Sequence, residues 1–220
     1  MSLKAAPGFY NPAVQTVQGA NSATFTSPGI NTTLTIPELF EFHAKHSAQH
    51  PVFVYADDDK KEHVIRFPEV YRAIRKAATI SSGHYARRSD YYTEAQVGKS
   101  ENEPPVIGIL ATADSISFYT LEAGLMYLGL TAFPISTRNS AIAVAHLASK
   151  IGVRQMYVSA DPAMQRLAQE ANELLAKDGI EFEALPMPSF EDLYGPGGDD
   201  ALVPMGKVSP DKTCIIIHSS

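Results

Sequence analysis

The residues that could do chemistry gather at the end of the sequence. Thr213-Cys214-Ile215-Ile216-Ile217 is a β-branched apolar run, and it delivers His218-Ser219-Ser220. The run reads as a buried strand over 213–218. A strand that runs into Ser-Ser feeds a loop, so the sequence reads as stopping just before a site. Ligands of parallel α/β sheets bind beyond the carboxyl ends of the strands. His218, Ser219 and Ser220 stand at such an end and are the candidate ligand-binding residues. A histidine there also serves as a structural group bonded to backbone.

Other reactive side chains have plainer readings. Arg138 and Asn139 sit just past a strand and suit either a ligand contact or, for Asn139, a helix cap. His43, His46 and His50 recur at helical intervals, but no carboxylate or cysteine completes a metal set at matching spacing. They read as a polar helix face. Asp57-Asp58-Asp59 lacks the spacing of a calcium loop and reads as a solvated turn. Asp114-Ser115 lacks a Gly-x-Ser-x-Gly elbow and reads as a helix cap. Arg87-Arg88, near Arg72, Arg75 and Lys76, reads as a solvated basic face.

Composition narrows the function classes. Of 220 residues, 45% are hydrophobic and 19% charged, enough for a sizeable core. The net charge of -6 argues against a nucleic-acid-binding surface, which needs a clustered basic face. Cys214 is the single cysteine, so no internal disulfide can form, and a reduced cytoplasmic setting fits. Its isoleucine neighbours make it a packed small hydrophobe. No apolar run reaches the roughly 18 residues of a membrane span. The first residues carry no signal-peptide pattern.

The elements that must position these groups follow from periodicity and punctuation. Residues 1–33 are rich in Pro, Gly, Asn, Ser and Thr and read as an extended N-terminal arm. Thr35-Ile36-Pro37-Glu38 has capping-box spacing and opens a helix to about Gln49. Apolar runs at 52–55 and 64–67 flank a polar turn and predict a β-hairpin. A helix follows from Pro68 to about Ser81, and 82–104 reads as its tail plus an exposed insertion. From Val106 the pattern is regular. Strands at 106–110, 132–135, 155–158 and 181–185 alternate with helices capped at Asp114 or Ser115, Asn139 or Ser140, and Asp161. A short helical turn near 189–194 and a Gly/Asp loop precede the final strand. Short apolar strands alternating with helices mean βαβ units, so the fold class is α/β with a mostly parallel sheet flanked by helices.

Three segments in this order resemble the N-terminal part of adenylate-forming enzymes, the superfamily of acyl-CoA synthetases, luciferases and nonribosomal peptide synthetase adenylation domains. Ile65-Arg66-Phe67-Pro68-Glu69-Val70-Tyr71 resembles the early strand-to-helix motif. The stretch from Leu121 through Gly124, Gly129 and Pro134 to Ser136 resembles the helix–Gly–strand–Pro motif. Cys214 to Ser220 resembles the strand that enters the Ser/Thr/Gly-rich phosphate loop. The stretch Pro134 to Ser140, with the His-Ser-Ser ending, is similar to fungal synthetase-like reductases built from adenylation, carrier and reductase domains.

The resemblance implies that residues 34–220 are an incomplete N-terminal part of an AMP-binding domain. It implies ATP and Mg2+ as cofactors, with Ser219, Ser220 and His218 near the nucleotide phosphates. A small carboxylic or amino acid is activated as its acyl-adenylate and captured by phosphopantetheine on a downstream carrier domain. The remaining phosphate-loop, nucleotide and lysine positions of the family fall C-terminal to Ser220, so these residues alone are expected to be inactive. Two other classes are open. A non-catalytic α/β nucleotide-binding module is one, although no Gly-x-Gly-x-x-Gly or Gly-x-x-x-x-Gly-Lys is present. An interaction fragment is the other, self-associating through apolar surface left uncovered.

Overall fold

The structure, a computed structural model, describes residues 22–29, 33–86, 104–197, 202–207 and 211–218. Most of the predicted arm, Arg87-Arg88, most of the predicted insertion, Ser219 and Ser220 lie outside the described residues. Local signals set the first elements. Helix α1 spans Ile36–His46. The backbone N–H and the hydroxyl of Thr35 both donate to Glu38 Oε2, at 2.8 and 2.6 Å, and Pro37 occupies the first turn. Strands β1 (Pro51–Ala56) and β2 (Glu62–Arg66) pair antiparallel as the expected hairpin. Helix α2 follows at once, Phe67–Ala86.

The regular part alternates as the sequence predicts: β3 (Val106–Leu110), α3 (Ser115–Tyr127), β4 (Thr131–Pro134), α4 (Ala141–Ile151), β5 (Gln155–Val158), α5 (Pro162–Ala176), β6 (Glu183–Pro186) and α6 (Phe190–Tyr194). Side-chain oxygens of Asp114, Ser140 and Asp161 accept N–H bonds at the starts of α3, α4 and α5. Ser140, not Asn139, is therefore the cap of α4. Gly129 and Gly152 sit at φ +78° and +80° just past α3 and α4, where a left-handed residue ends a helix.

The main sheet is parallel, in the order β4-β3-β5-β6. Alternation along each strand sends side chains to two cores. Leu110, Phe133, Met156 and Val158 pack with Val144 and Ala148 of α4 and Ala168, Ala171 and Leu175 of α5. Ile107, Ile109, Ala132, Tyr157 and Leu185 pack with Leu121 and Leu125 of α3. The far side of α3 is also buried, through Ala123 and Tyr127 against Val70, Ile74 and Ala78 of α2. Helix α3 is thus an internal layer, which explains a sequence apolar all round. No helix among the described residues is long and apolar enough to cross a membrane.

Two expectations are corrected. The segment predicted as a final strand makes one parallel bridge, Ile215 to Ala132. Ala132 N–H donates to Cys214 O at 3.0 Å, and Ile216 N–H donates to Ala132 O at 2.9 Å. The next β4 residue facing that edge, two positions along, is Pro134, which has no N–H to continue the ladder. The histidines of α1 are not a uniformly polar face either. His43 is buried at 4% exposure, beneath residues 22–29.

Candidate functional site at the carboxyl ends of the parallel strands

The chain leaves β3 toward β4 on one side and later returns to β5 on the other. The carboxyl ends of β3 and β5 therefore flank the reversal in strand order, where sheets of this kind open a crevice. Here the crevice is bridged by the protein's own groups. Thr112 N–H donates to Ser159 Oγ at 3.1 Å, and Thr112 Oγ1 donates to Asp161 Oδ2 at 2.9 Å. Gln165 Nε2 donates to Ser159 O at 2.8 Å. The other Asp161 oxygen accepts from Ala163 N–H at 2.7 Å. That backbone bond, then the Thr112 hydroxyl, holds the Asp161 carboxyl below the usual range. The arrangement ties the loop after β3 to the start of α5.

One strand further out lies the predicted site. The segment 211–218 runs beside β4, held by the backbone pair at Ala132 and by Thr131 Oγ1, which donates to Thr213 O at 2.7 Å. It carries His218 to the carboxyl end of β4. There His218 Nε2 accepts the backbone N–H of Ser136 at 3.1 Å, with the ring edge-on to Phe133. An accepting Nε2 leaves the imidazole proton on Nδ1. This is the backbone-bonded role open to His218 from the sequence.

Ser136 is not among the residues the sequence points to. Its contribution is a backbone N–H, which no residue type advertises, although its place after an apolar strand and a proline is a positional signal. The turn after it is compact. Asn139 N–H donates to Ser136 O at 3.2 Å, and Arg138 N–H donates to Ser136 Oγ at 3.3 Å. The Arg138 side chain is exposed. Asn139 Nδ2 is buried with no protein partner.

The N–H and hydroxyl donors described at this end are engaged within the protein, Thr112 with Ser159 and Asp161 and Ser136 with His218. Among the described residues no group of three His, Cys, Asp or Glu side chains could hold a metal ion. A magnesium ion brought by a nucleotide needs no such cage, because it keeps waters and phosphate oxygens as ligands.

Adenylate-forming reductase Nps10 of Heterobasidion annosum is 36% identical over 216 residues, 95% of this chain and 19% of that protein. The chain thus spans about a fifth of that relative's length. No protein-family model matches. Among solved structures, a fatty acyl CoA synthetase of Mycobacterium tuberculosis superposes with TM-score 0.56 at 18% identity, covering 84% of this chain and 32% of the enzyme. The NpsA N-terminal subdomain of Klebsiella oxytoca gives 0.53 at 15% identity, covering 84% and 38%. At these identities the structures speak for the fold alone. The chain therefore belongs with the adenylate-forming enzymes, having the fold of their N-terminal subdomain and fungal adenylate-forming reductases as sequence relatives.

Proposed function

We propose that the chain supplies the opening part of an ATP-dependent domain that activates a carboxylic acid and passes it to a phosphopantetheine thiol. A carboxylate oxygen of the substrate attacks the α-phosphorus of ATP and pyrophosphate leaves. The thiol then attacks the acyl carbonyl and AMP leaves. Positioning and charge stabilisation carry most of the first step. In this reading Ser219 and Ser220 place hydroxyls near the nucleotide phosphates, and His218 anchors the start of their loop. A carrier domain and a reductase domain act downstream, in a cytoplasmic setting.

The observation that supports this reading most is the bond from Ser136 N–H to His218 Nε2. It holds His218 at the carboxyl end of β4, the side of the sheet on which ligands of such folds bind. The relative's name supports the reaction class. The test is ATP–pyrophosphate exchange over a panel of amino, aryl and keto acids. It is run on the 220 residues and on a longer chain that covers more of the length of the relatives. Exchange is expected only in the longer chain, and replacing both serines by alanine should lower it by about tenfold or more, the effect of losing phosphate-oriented donors. A folded longer chain with no exchange for any acid would remove the reading.

A further inference from the structure

His43 and His46 of the first helix and His50 just past it surround one piece of the N-terminal segment. Phe25 stacks on His43, with ring centroids 4.8 Å apart, and packs against His50 at 5.0 Å. The imidazole of His43 also stacks on Phe67, the first residue of α2, at 4.6 Å. Hydrogen bonds accompany the stack. Thr26 N–H donates to Ser47 Oγ at 2.9 Å, and Thr26 Oγ1 donates to His46 O at 2.8 Å. Thr24 Oγ1 lies 3.0 Å from His50 Nδ1. Ser47 Oγ lies 3.0 Å from His43 Nδ1.

The Ser47 hydroxyl fixes the protonation of this cluster. Ser47 is 2% exposed, and its oxygen already receives the Thr26 N–H. Its own proton needs an acceptor, and His43 Nδ1 is the one in reach. The bonds form a relay, Thr26 N–H to Ser47 O–H to His43 Nδ1. The relay requires a neutral imidazole with its proton on Nε2.

We propose that residues 22–29 are a strap latched onto α1 through neutral His43, and that a second proton on this imidazole opens the latch. Protonation puts an N–H on Nδ1 facing the Ser47 hydroxyl, and the buried O–H loses its acceptor. Among the described residues no carboxylate answers the new charge. The strap holds no ionisable side chain. The neighbours are His46 on α1 and His50 just past it, while Lys45 pairs with Glu41. At the start of α2, Glu69 accepts the Arg66 N–H, and on the hairpin Asp57 pairs with His63. Burial first, then His50 and His46, holds His43 below the ordinary imidazole value of 6.5. An imidazole of lowered pKa binds fewer protons when latched, so the latch weakens as pH falls below that value. A phenyl face attracts a cation, but neither ring can supply the acceptor that Ser47 loses. Opening would bare a slot between His43, His50 and Phe67.

The experiment is hydrogen exchange of the Thr26 amide in the whole chain and in H43N, at about pH 7.5 and about pH 5.5, on either side of the imidazole range. Protection factors corrected for the intrinsic rate are compared. The wild type should lose protection by about fivefold or more, the weight of one buried hydrogen bond. H43N keeps an oxygen acceptor but cannot be protonated, so its protection should not change. Constant protection in the wild type, or an equal loss in H43N, overturns the proposal. Nitrogen NMR of His43 in the wild type gives a check independent of the variant's folding. A proton on Nε2 at neutral pH is expected, and a proton on Nδ1 overturns the proposal.

Discussion

Tyr157 carries a hydroxyl into the layer between the sheet and α2. It is 1% exposed; its O–H donates to Ser81 Oγ at 2.9 Å and lies 3.1 Å from His84 Nδ1. Gln155 beside it donates to His84 O and Glu183 Oε2, both at 3.0 Å. Replacing Tyr157 by Phe keeps the ring and removes one group from this network. Unfolding free energy in urea should fall by about 1–3 kcal/mol, because buried partners lose a hydrogen bond without water to replace it. Glu122 tests the opposite sign. It is 6% exposed within α3, and burial pushes its carboxyl pKa up from 4.5. A raised carboxyl binds more protons folded than unfolded, so its ionisation costs stability as pH rises above that value. E122Q should therefore be more stable than wild type at neutral pH, with the gain vanishing near pH 4.5. A gain independent of pH would assign the effect to packing instead.

Between elements, α2 and α3 approach closely at Gly124. A Cβ on Gly124 would lie 2.6 Å from Ala77 Cβ and 3.0 Å from Ala78 N. G124A should destabilise by about 1–3 kcal/mol, the usual cost of overpacking. The double variant A77G/G124A should recover part of that loss, because the two sites touch. Gly83 provides the contrast. It lies in α2, and a Cβ there would meet nothing within 4 Å. G83A should stabilise by roughly 0.5–1 kcal/mol through helix propensity. Thermal or urea unfolding of both variants separates close packing from propensity. The sequence marks both glycines equally, since each interrupts a helix. Only the neighbouring helix makes one of them necessary.

At the scale of the molecule, four lowered carboxylates and His43 weaken the fold as pH falls, and Glu122 opposes them. Hydrogen bonds to the carboxylates hold Glu38 (through Thr35), Asp57 (through His63), Asp161 (through Ala163) and Asp192 (through Ser189) below their usual values. Their contributions are present above the unfolded values of 4.5 and 3.8 and are lost as pH falls through the lowered ones. His43 acts earlier, in the imidazole range. The urea midpoint should be level above about pH 7, fall first as His43 protonates, and fall again below about pH 4. A single transition confined to the carboxylate range would remove His43 from the stability of the fold.

Much of the architecture is legible in the sequence because its causes are local. The caps at Asp114, Ser140 and Asp161 sit next to the N–H groups they accept, and the strands of the parallel sheet are short apolar runs between turn signals. The candidate site is legible as a position, the end of an apolar run leading to His218. Its geometry is not, because Ser136 meets His218 through a backbone group 82 residues away. Two further features depend on distant partners. The run 213–218 has every mark of a strand, yet pairing needs donors on the neighbour, and Pro134 withholds one. His43 reads as part of a polar face, yet Phe25 and Phe67 enclose it from both sides. The order of elements, their caps and the family are therefore written in local stretches of sequence. Which polar groups are buried, and what they bond, emerges only on folding, because burial and hydrogen-bond partners are set by residues far apart in the chain.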